Sequence, residues 1–307
     1  MSMVYSEAAL QAYFMKSRLH ITNAQFWKTY TDAGDLARAA QEHKWEELSE
    51  KFRDGLSIPG ADGMICAFDS SFPFINPMAP MGDRPFLLFY RGDVSLLEDL
   101  NKNVAVIGAI DPDESVVSRE QTVVERLVLH GLNIVSGLAK GCDSAAHDAC
   151  LQAGGKTIAV LPTQLGKIYP AANRGLAEEI VRSGGLLLTE YAGDPASKYE
   201  SVKRFTDRDR LQAMFSKAVI LIASHRKGEG DSGSRYAMES AKKYRIRRYV
   251  MFNREEDSGK SLFGLNQDIL RSEPDVKILW QNSIAELAAE QNKLLMPPDE
   301  QIKMDLP

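Results

Sequence analysis

A doubly wound, Rossmann-like α/β sheet, mostly parallel, with a small N-terminal helical module is the fold this sequence predicts. From residue 103 onward, short apolar runs of strand length (103–108, 133–136, 157–161, 185–189, 218–223 and 248–252) alternate with amphipathic stretches of helix length (114–130, 143–154, 173–183, 206–216 and 234–244). Within the runs apolar and polar residues do not alternate, so helices must cover both faces of the strands. Right-handed crossovers then wind the sheet in both directions. Residues 1–57 hold only helical patterns.

In chain order, Ser6 opens a first helix carrying Leu10, Tyr13 and Phe14. Thr22 to Gln25 has the capping-box pattern ahead of Phe26 and Trp27, and Trp45, Leu48 and Phe52 share one face of a further helix over 44–52. This module covers residues 1–60. Residues 61–85 are crowded with Pro and Gly and read as an irregular linker. Phe86 to Tyr90 is a strand-length apolar run that begins the main domain, 86–282. Residues 283–307 form a short tail with one helical stretch, Ser283 to Leu294, too short for a winged helix.

The chain has 307 residues, 44% of them hydrophobic and 26% charged, which excludes global disorder and low complexity. Its 37 basic and 42 acidic residues give a net charge of −5, which excludes a uniformly basic coat but not a local cationic groove. Cys66, Cys142 and Cys150 form no metal-ligand spacing and read as reduced thiols of a cytoplasmic protein. No run is long and apolar enough to span a membrane, and the N-terminus lacks the pattern of a secretory signal.

Ligands of such sheets gather beyond the carboxyl ends of the strands, so those loops hold the candidate chemistry. Ser136 to His147 sets Gly137 and Gly141 around Lys140 just before a helix. Backbone amides at a helix N-terminus and one lysine suit a phosphate; a tight turn with Asp143 as N-cap is the alternative. His147 reads as a packed histidine. Pro162 to Arg174 carries Tyr169 and Asn173, with Asn173 capping the next helix. In Phe205 to Leu211, Thr206 and Asp209 form a capping box that places Arg208 and Arg210 in a first helical turn, against the dipole. An anion, or ion pairs with Asp207 and Asp209, would relieve that conflict. Gly228 to Ala237 leads into a helix near Ser234. A second basic cluster, Lys242, Lys243, Arg245, Arg247 and Arg248, reads as a solvated face.

Taken in order, these loops resemble the DNA-processing protein A (DprA/Smf) family over about Phe68 to Asn266. The resemblance rests on Ile134-Val-Ser-Gly-Leu-Ala-Lys-Gly-Cys-Asp-Ser-Ala-Ala-His147, Ala153 to Val160, Ile168-Tyr-Pro-Ala-Ala-Asn173, Gly184 to Glu190, Phe205 with Arg208 and Arg210, and Ser232-Gly-Ser234. It implies a cytoplasmic, homodimeric binder of single-stranded DNA that protects incoming strands in natural transformation and loads the RecA recombinase, without catalysis or cofactor. It also implies that the helical module is sterile-alpha-motif-like. The DNA-contacting residues it implies are Lys140, Phe205, Arg208, Arg210, Ser232 and Gly233, with the amides of Gly137 and Gly141 on phosphate. Ser234 and Arg235 adjoin that set, and Arg235 is a candidate replacement for a missing cation. Where the family carries an arginine after the first strand, this chain has Ile110, followed by Asp111, Asp113 and Glu114; its Arg-Asn-Arg run is Arg208-Asp209-Arg210 here.

Two other readings stand beside this one. One is a nucleotide hydrolase similar to the phosphoribohydrolases, whose glutamate position is Ala237 here, with Glu239 two residues on. The other is a nucleotide-sensing module that has lost DNA binding, motivated by Ile110 and the acids after it.

Overall fold

The computed structural model describes residues 5–230, 233–299 and 301. Four helices come first: α1 (Glu7–Leu19), α2 (Asn23–Thr29), α3 (Ala33–Glu42) and α4 (Trp45–Asp54). Ser6 caps α1 by accepting from the Ala9 amide at 2.9 Å, and Thr22 and Gln25 form the expected capping box of α2. There follow β1 (Gly63–Cys66), β2 (Leu87–Gly92), β3 (Asn103–Ile107), α5 (Glu114–Leu129), β4 (Asn133–Ser136), α6 (Cys142–Gln152), β5 (Thr157–Val160), α7 (Arg174–Arg182) and β6 (Leu186–Thr189). The chain continues with α8 (Lys198–Met214), β7 (Ala218–Leu221), α9 (Ser234–Lys243), β8 (Arg247–Val250), α10 (Gly264–Ser272), β9 (Lys277–Ile278) and α11 (Gln281–Ala289).

Among the described residues nine strands join one sheet, in the order β1-β2-β6-β5-β4-β3-β7-β8-β9. The segment from β6 to β9 is parallel; β1 and β2 run antiparallel at one edge. Alternate residues feed two cores, one on each face. Leu88, Ile158, Val160, Leu186 and Leu188 face one core, and Leu87, Phe89, Ala159, Leu161 and Leu187 face the other. The second core also contains Leu10, Phe14, Met15 and Phe26, so the N-terminal module covers the sheet as a crossover helix would. Phe26 stacks on Phe86 with ring centroids 4.2 Å apart.

Three sequence expectations change. Residues 61–85 are not a linker, because β1 lies within them and pairs Gly63 with Tyr90 through Cys66 with Leu87. The tail's helix is α11, Gln281–Ala289, and not Ser283 to Leu294; it docks, with Ile284 and Leu287 buried and Lys217 Nζ donating to the carbonyls of Ala288 (3.1 Å) and Glu290 (2.9 Å). The third is α8, which begins eight residues before the expected capping box. Its cap is Ser197, whose hydroxyl accepts from the Glu200 amide at 3.1 Å, and Thr206 Oγ1 merely donates to the Lys203 carbonyl one turn back. Arg208 and Arg210 are therefore mid-helix, and the conflict with the helix dipole does not arise.

Candidate nucleic-acid interface

The switch point of the sheet lies between β3, from which the chain winds outward through β4, β5 and β6, and β7, from which it winds the other way through β8 and β9. The turn after β4 is built around a side chain from α8. Arg208 is 6% exposed; its Nη1 donates to the Gly137 carbonyl and, at 3.1 Å, to that of Val160. A Cβ on Gly137 would fall onto that guanidinium, so glycine is needed there for space. Asp143 accepts from the amides of Gly137 (3.2 Å) and Ala139 (3.3 Å). The Gly137 amide expected to hold phosphate is thus already engaged. Gly141 adopts φ 74°, and a Cβ there would meet the Ala109 carbonyl oxygen, so the turns after β3 and β4 press together. Asn173 precedes α7 without a side-chain cap bond; its Nδ2 instead donates to the carbonyls of Leu138 (2.9 Å) and Ala139 (3.1 Å), tying the loop after β5 to the turn after β4.

Between these turns and α8 lies a hollow of about 360 Å³ whose walls include Ile110, Gly137, Lys140, Tyr169, Phe205 and Arg208. A neighbouring hollow of about 490 Å³ shares Tyr169 and Phe205 and adds Lys167, Arg174 and Arg204. The Tyr169 and Phe205 rings meet edge to face, 5.6 Å between centroids, and Tyr169 is 56% exposed. The two hollows form one trough with an aromatic ridge at its centre. Lys140 and Arg174 are exposed, and their side chains make no ion pair among the described residues. No carboxylate lines the first hollow, and the acid of the second, Asp194, pairs with Lys167 at 3.2 Å. The acids after β3 are turned to other tasks: Asp113 caps α5 through the Val116 amide (2.9 Å), and Asp111 stands 3.8 Å from His225 Nε2.

Beneath the trough is a buried set of titratable groups. Arg208 Nε lies 2.9 Å from Asp209 Oδ1 as an ion pair without hydrogen-bond alignment, and Arg208 Nη1 is 4.0 Å from Asp143 Oδ2. One guanidinium thus faces two carboxyls, with fully buried Glu120 close to Cys142 and Asp143. Burial pushes Glu120 and Asp143 above the usual carboxylate range. Burial lifts Asp209 to about 7, with Arg208 opposing and the Asp143 charge adding. Burial, then the Arg208 charge, brings His147 down to about 3. The Thr157 hydroxyl donates to the Ile134 carbonyl and so accepts from His147 Nδ1, 2.7 Å away; His147 is the packed, neutral histidine the sequence favoured.

Of the sequence-predicted residues, Gly137, Lys140, Phe205 and Arg208 come together on the first hollow, and Gly141 buttresses its rim. Arg210 does not. It leaves the opposite side of α8, where Nη2 donates to Glu190 Oε1 at 2.8 Å and Nε to the Asp83 carbonyl at 2.8 Å. Gly233 and Ser234 lie behind Asp209: Gly233 takes φ 86° beside Asp209 Oδ2, and Ser234 Oγ donates to the Gly108 carbonyl at 2.9 Å. Arg235 pairs with Glu239 at 2.9 Å and lies over the Tyr236 ring, so it does not stand in for the cation missing at Ile110. Ser232 lies outside the described residues. Sequence reasoning left Tyr169 open and passed over Arg174; a solvent-facing Tyr-Pro followed within five residues by arginine was the available signal.

The family model for DNA recombination-mediator protein A matches residues 63–269. The chain belongs to that family. Among DNA recombination-mediator proteins it is 38% identical to the DNA processing protein DprA of Streptococcus pneumoniae over 154 residues, 50% of this chain and 51% of that protein. It is 36% identical to the Smf protein of Synechocystis over 157 residues, 50% of this chain and 38% of that one. The matched segments thus span about half the length of the curated relatives, or less. The X-ray structure of the Streptococcus pneumoniae protein shares the fold, with TM-score 0.65 at 24% identity over 93% of this chain and 94% of that chain. A Helicobacter pylori DNA processing protein A, described for its single-stranded DNA binding mode, gives TM-score 0.59 at 28% identity over 73% and 94%. The span matched by the family model contains every wall of the trough named above; the N-terminal module lies outside it.

Proposed function

We propose that the trough binds single-stranded DNA and that the chain is a recombination mediator without a catalytic step. The observation that carries this reading is the ridge of exposed Tyr169 and half-buried Phe205 between two hollows whose rims carry Lys140 and Arg174. Every base offers a face to an aromatic ring and every phosphate attracts a cation, so such a trough holds a strand with little regard to its sequence. Family membership and the single-stranded DNA binding described for the Helicobacter pylori relative support the same reading. Homodimer formation, RecA loading, a role in natural transformation and a cytoplasmic location belong to the proposal through the family. Among the described residues no helix is long and apolar enough to cross a membrane. Nucleotide hydrolysis is not favoured: Ala237 is buried, Glu239 is held by Arg235, and the first hollow lacks a carboxylate.

The test is oligothymidylate binding across a salt series. We expect binding that weakens steeply with salt. Phe205→Ala should lose about 1–3 kcal/mol of affinity through lost stacking. Lys140→Ala should reduce the slope of log K against log salt by about 0.7. Arg208→Ala is a poor probe, because it strands buried Asp143 and Asp209 and destabilises the fold. Salt-independent or absent binding, or release of free base from a nucleoside monophosphate, overturns the proposal.

A further inference from the structure

The basic cluster over 242–248 does not form a uniformly solvated face. Arg248 is buried, with its guanidinium bonded to Glu273 (2.6 Å) and Asp275 (2.6 Å). Around it is a hollow of about 320 Å³ lined by Lys242, Arg245, Arg247, Arg248 and Lys277 against one acid, Asp275. Lys242 pairs with Glu273 at 3.0 Å, and Arg247 pairs with Glu290. Arg245 and Lys277 are exposed, and their side chains have no ion-pair partner among the described residues. Two cations are thus left over in a chain whose net charge is −5. The local field is felt at Lys217, which burial and then the Arg247 charge bring down to about 8.

A helix C-terminus accounts for lysines at 242 and 243, and edge protection accounts for one at 277. Neither accounts for their convergence with Arg245 on one concavity. Arg245 follows the Tyr244 cap of α9 at φ 58°, a position that glycine fills at less cost. The chain places a long cation there instead. The hollow lies at the amino ends of β8 and β9, whereas the trough lies beyond the carboxyl ends of β3, β4 and β5. Four-residue strands separate the two rims by about 13 Å of sheet alone. The same phosphates cannot serve both.

We propose that this hollow is a second docking site for the phosphodiester backbone, taken by the flanking part of a single strand whose other segment lies in the trough. The proposal rests on the trough reading above. A strand held in the trough presents its flanks to the rest of the surface at high effective concentration, so two unpaired cations suffice where they would not hold a free strand.

The test compares oligothymidylates of about six and about forty nucleotides, the shorter one confined to a single site. In Arg245→Gln/Lys277→Gln, affinity for the short strand should stay within about twofold of wild type. For the long strand it should fall by about fivefold, with the salt slope shallower by about 1.4, two phosphates' worth. Both residues are exposed, so the melting temperature should not move; should the double variant fail to fold, Lys277→Gln alone should show about half the effect. Unchanged long-strand binding, or equal weakening of both lengths, overturns the proposal. Tripolyphosphate binding that the variant abolishes, with long-strand affinity intact, assigns the hollow to a free phosphate compound and overturns it too. Wild-type protein that binds neither length removes the trough reading itself, and this proposal with it.

Discussion

Space for Arg208 depends on a missing side chain. A Cβ at Gly137 would lie 1.6 Å from Arg208 Nη1 and 2.5 Å from Gln212 Nε2. Gly137→Ala should therefore destabilise the fold by about 1–3 kcal/mol, read as a lower unfolding midpoint in denaturant, and should disturb the trough floor as well. Asp209 gives a prediction with a sign. An unfolded aspartate titrates near 3.9, whereas folded Asp209 titrates at about 7. Between those pH values the folded state holds a proton the unfolded state has lost, so stability falls as pH rises. Asp209→Asn should remove up to about 1.4 kcal/mol per pH unit of that slope, visible when urea unfolding is followed from about pH 4 to about pH 7. Four residues closer to α8's start, Phe205 stays half-buried, which leaves part of its ring available without costing the core.

Helix α8 explains why Arg208 and Arg210 part company. Two residues along a helix are about 200° apart, so their side chains leave opposite sides. The family resemblance puts both arginines on one groove; the helix sends Arg208 to the trough and Arg210 to Glu190. Glu190 in turn accepts from Asn23 Nδ2 (3.2 Å), and its carbonyl accepts from Lys16 Nζ (3.1 Å), pinning α1 and α2 to the sheet. Glu190→Ala should cost about 3 kcal/mol, measured by denaturant unfolding; the carbonyls of Asp83 and Asp207 still hold Arg210 and limit the loss. The parallel strands were legible because their apolar runs are unbroken, as at Val104 to Ile107 or Leu186 to Leu188. The first half of α8 was not, since Lys198 to Arg204 offers little apolar periodicity and only the Ser197–Glu200 pair marks the start. Strand β1 hid for a different reason: Gly63 to Cys66 is a single short run among glycines and prolines, and its partner lies over twenty residues away. At the trough, glycines and lysine in the turn after β4 were readable as spacing; the pairing of Tyr169 with Phe205 was not, because it joins the loop after β5 to the middle of α8 in space.

Across the molecule, two cationic hollows occupy opposite rims of one sheet, and the N-terminal module closes one of its faces. Glu120, Asp143 and Asp209 all hold protons more firmly when folded than an exposed acid does. The tally of −5 assumes every acid ionised, so the native protein carries less negative charge than its composition states. Isoelectric focusing should therefore place the native band at a higher pH than the same chain focused in urea, and Asp209→Asn should narrow that gap.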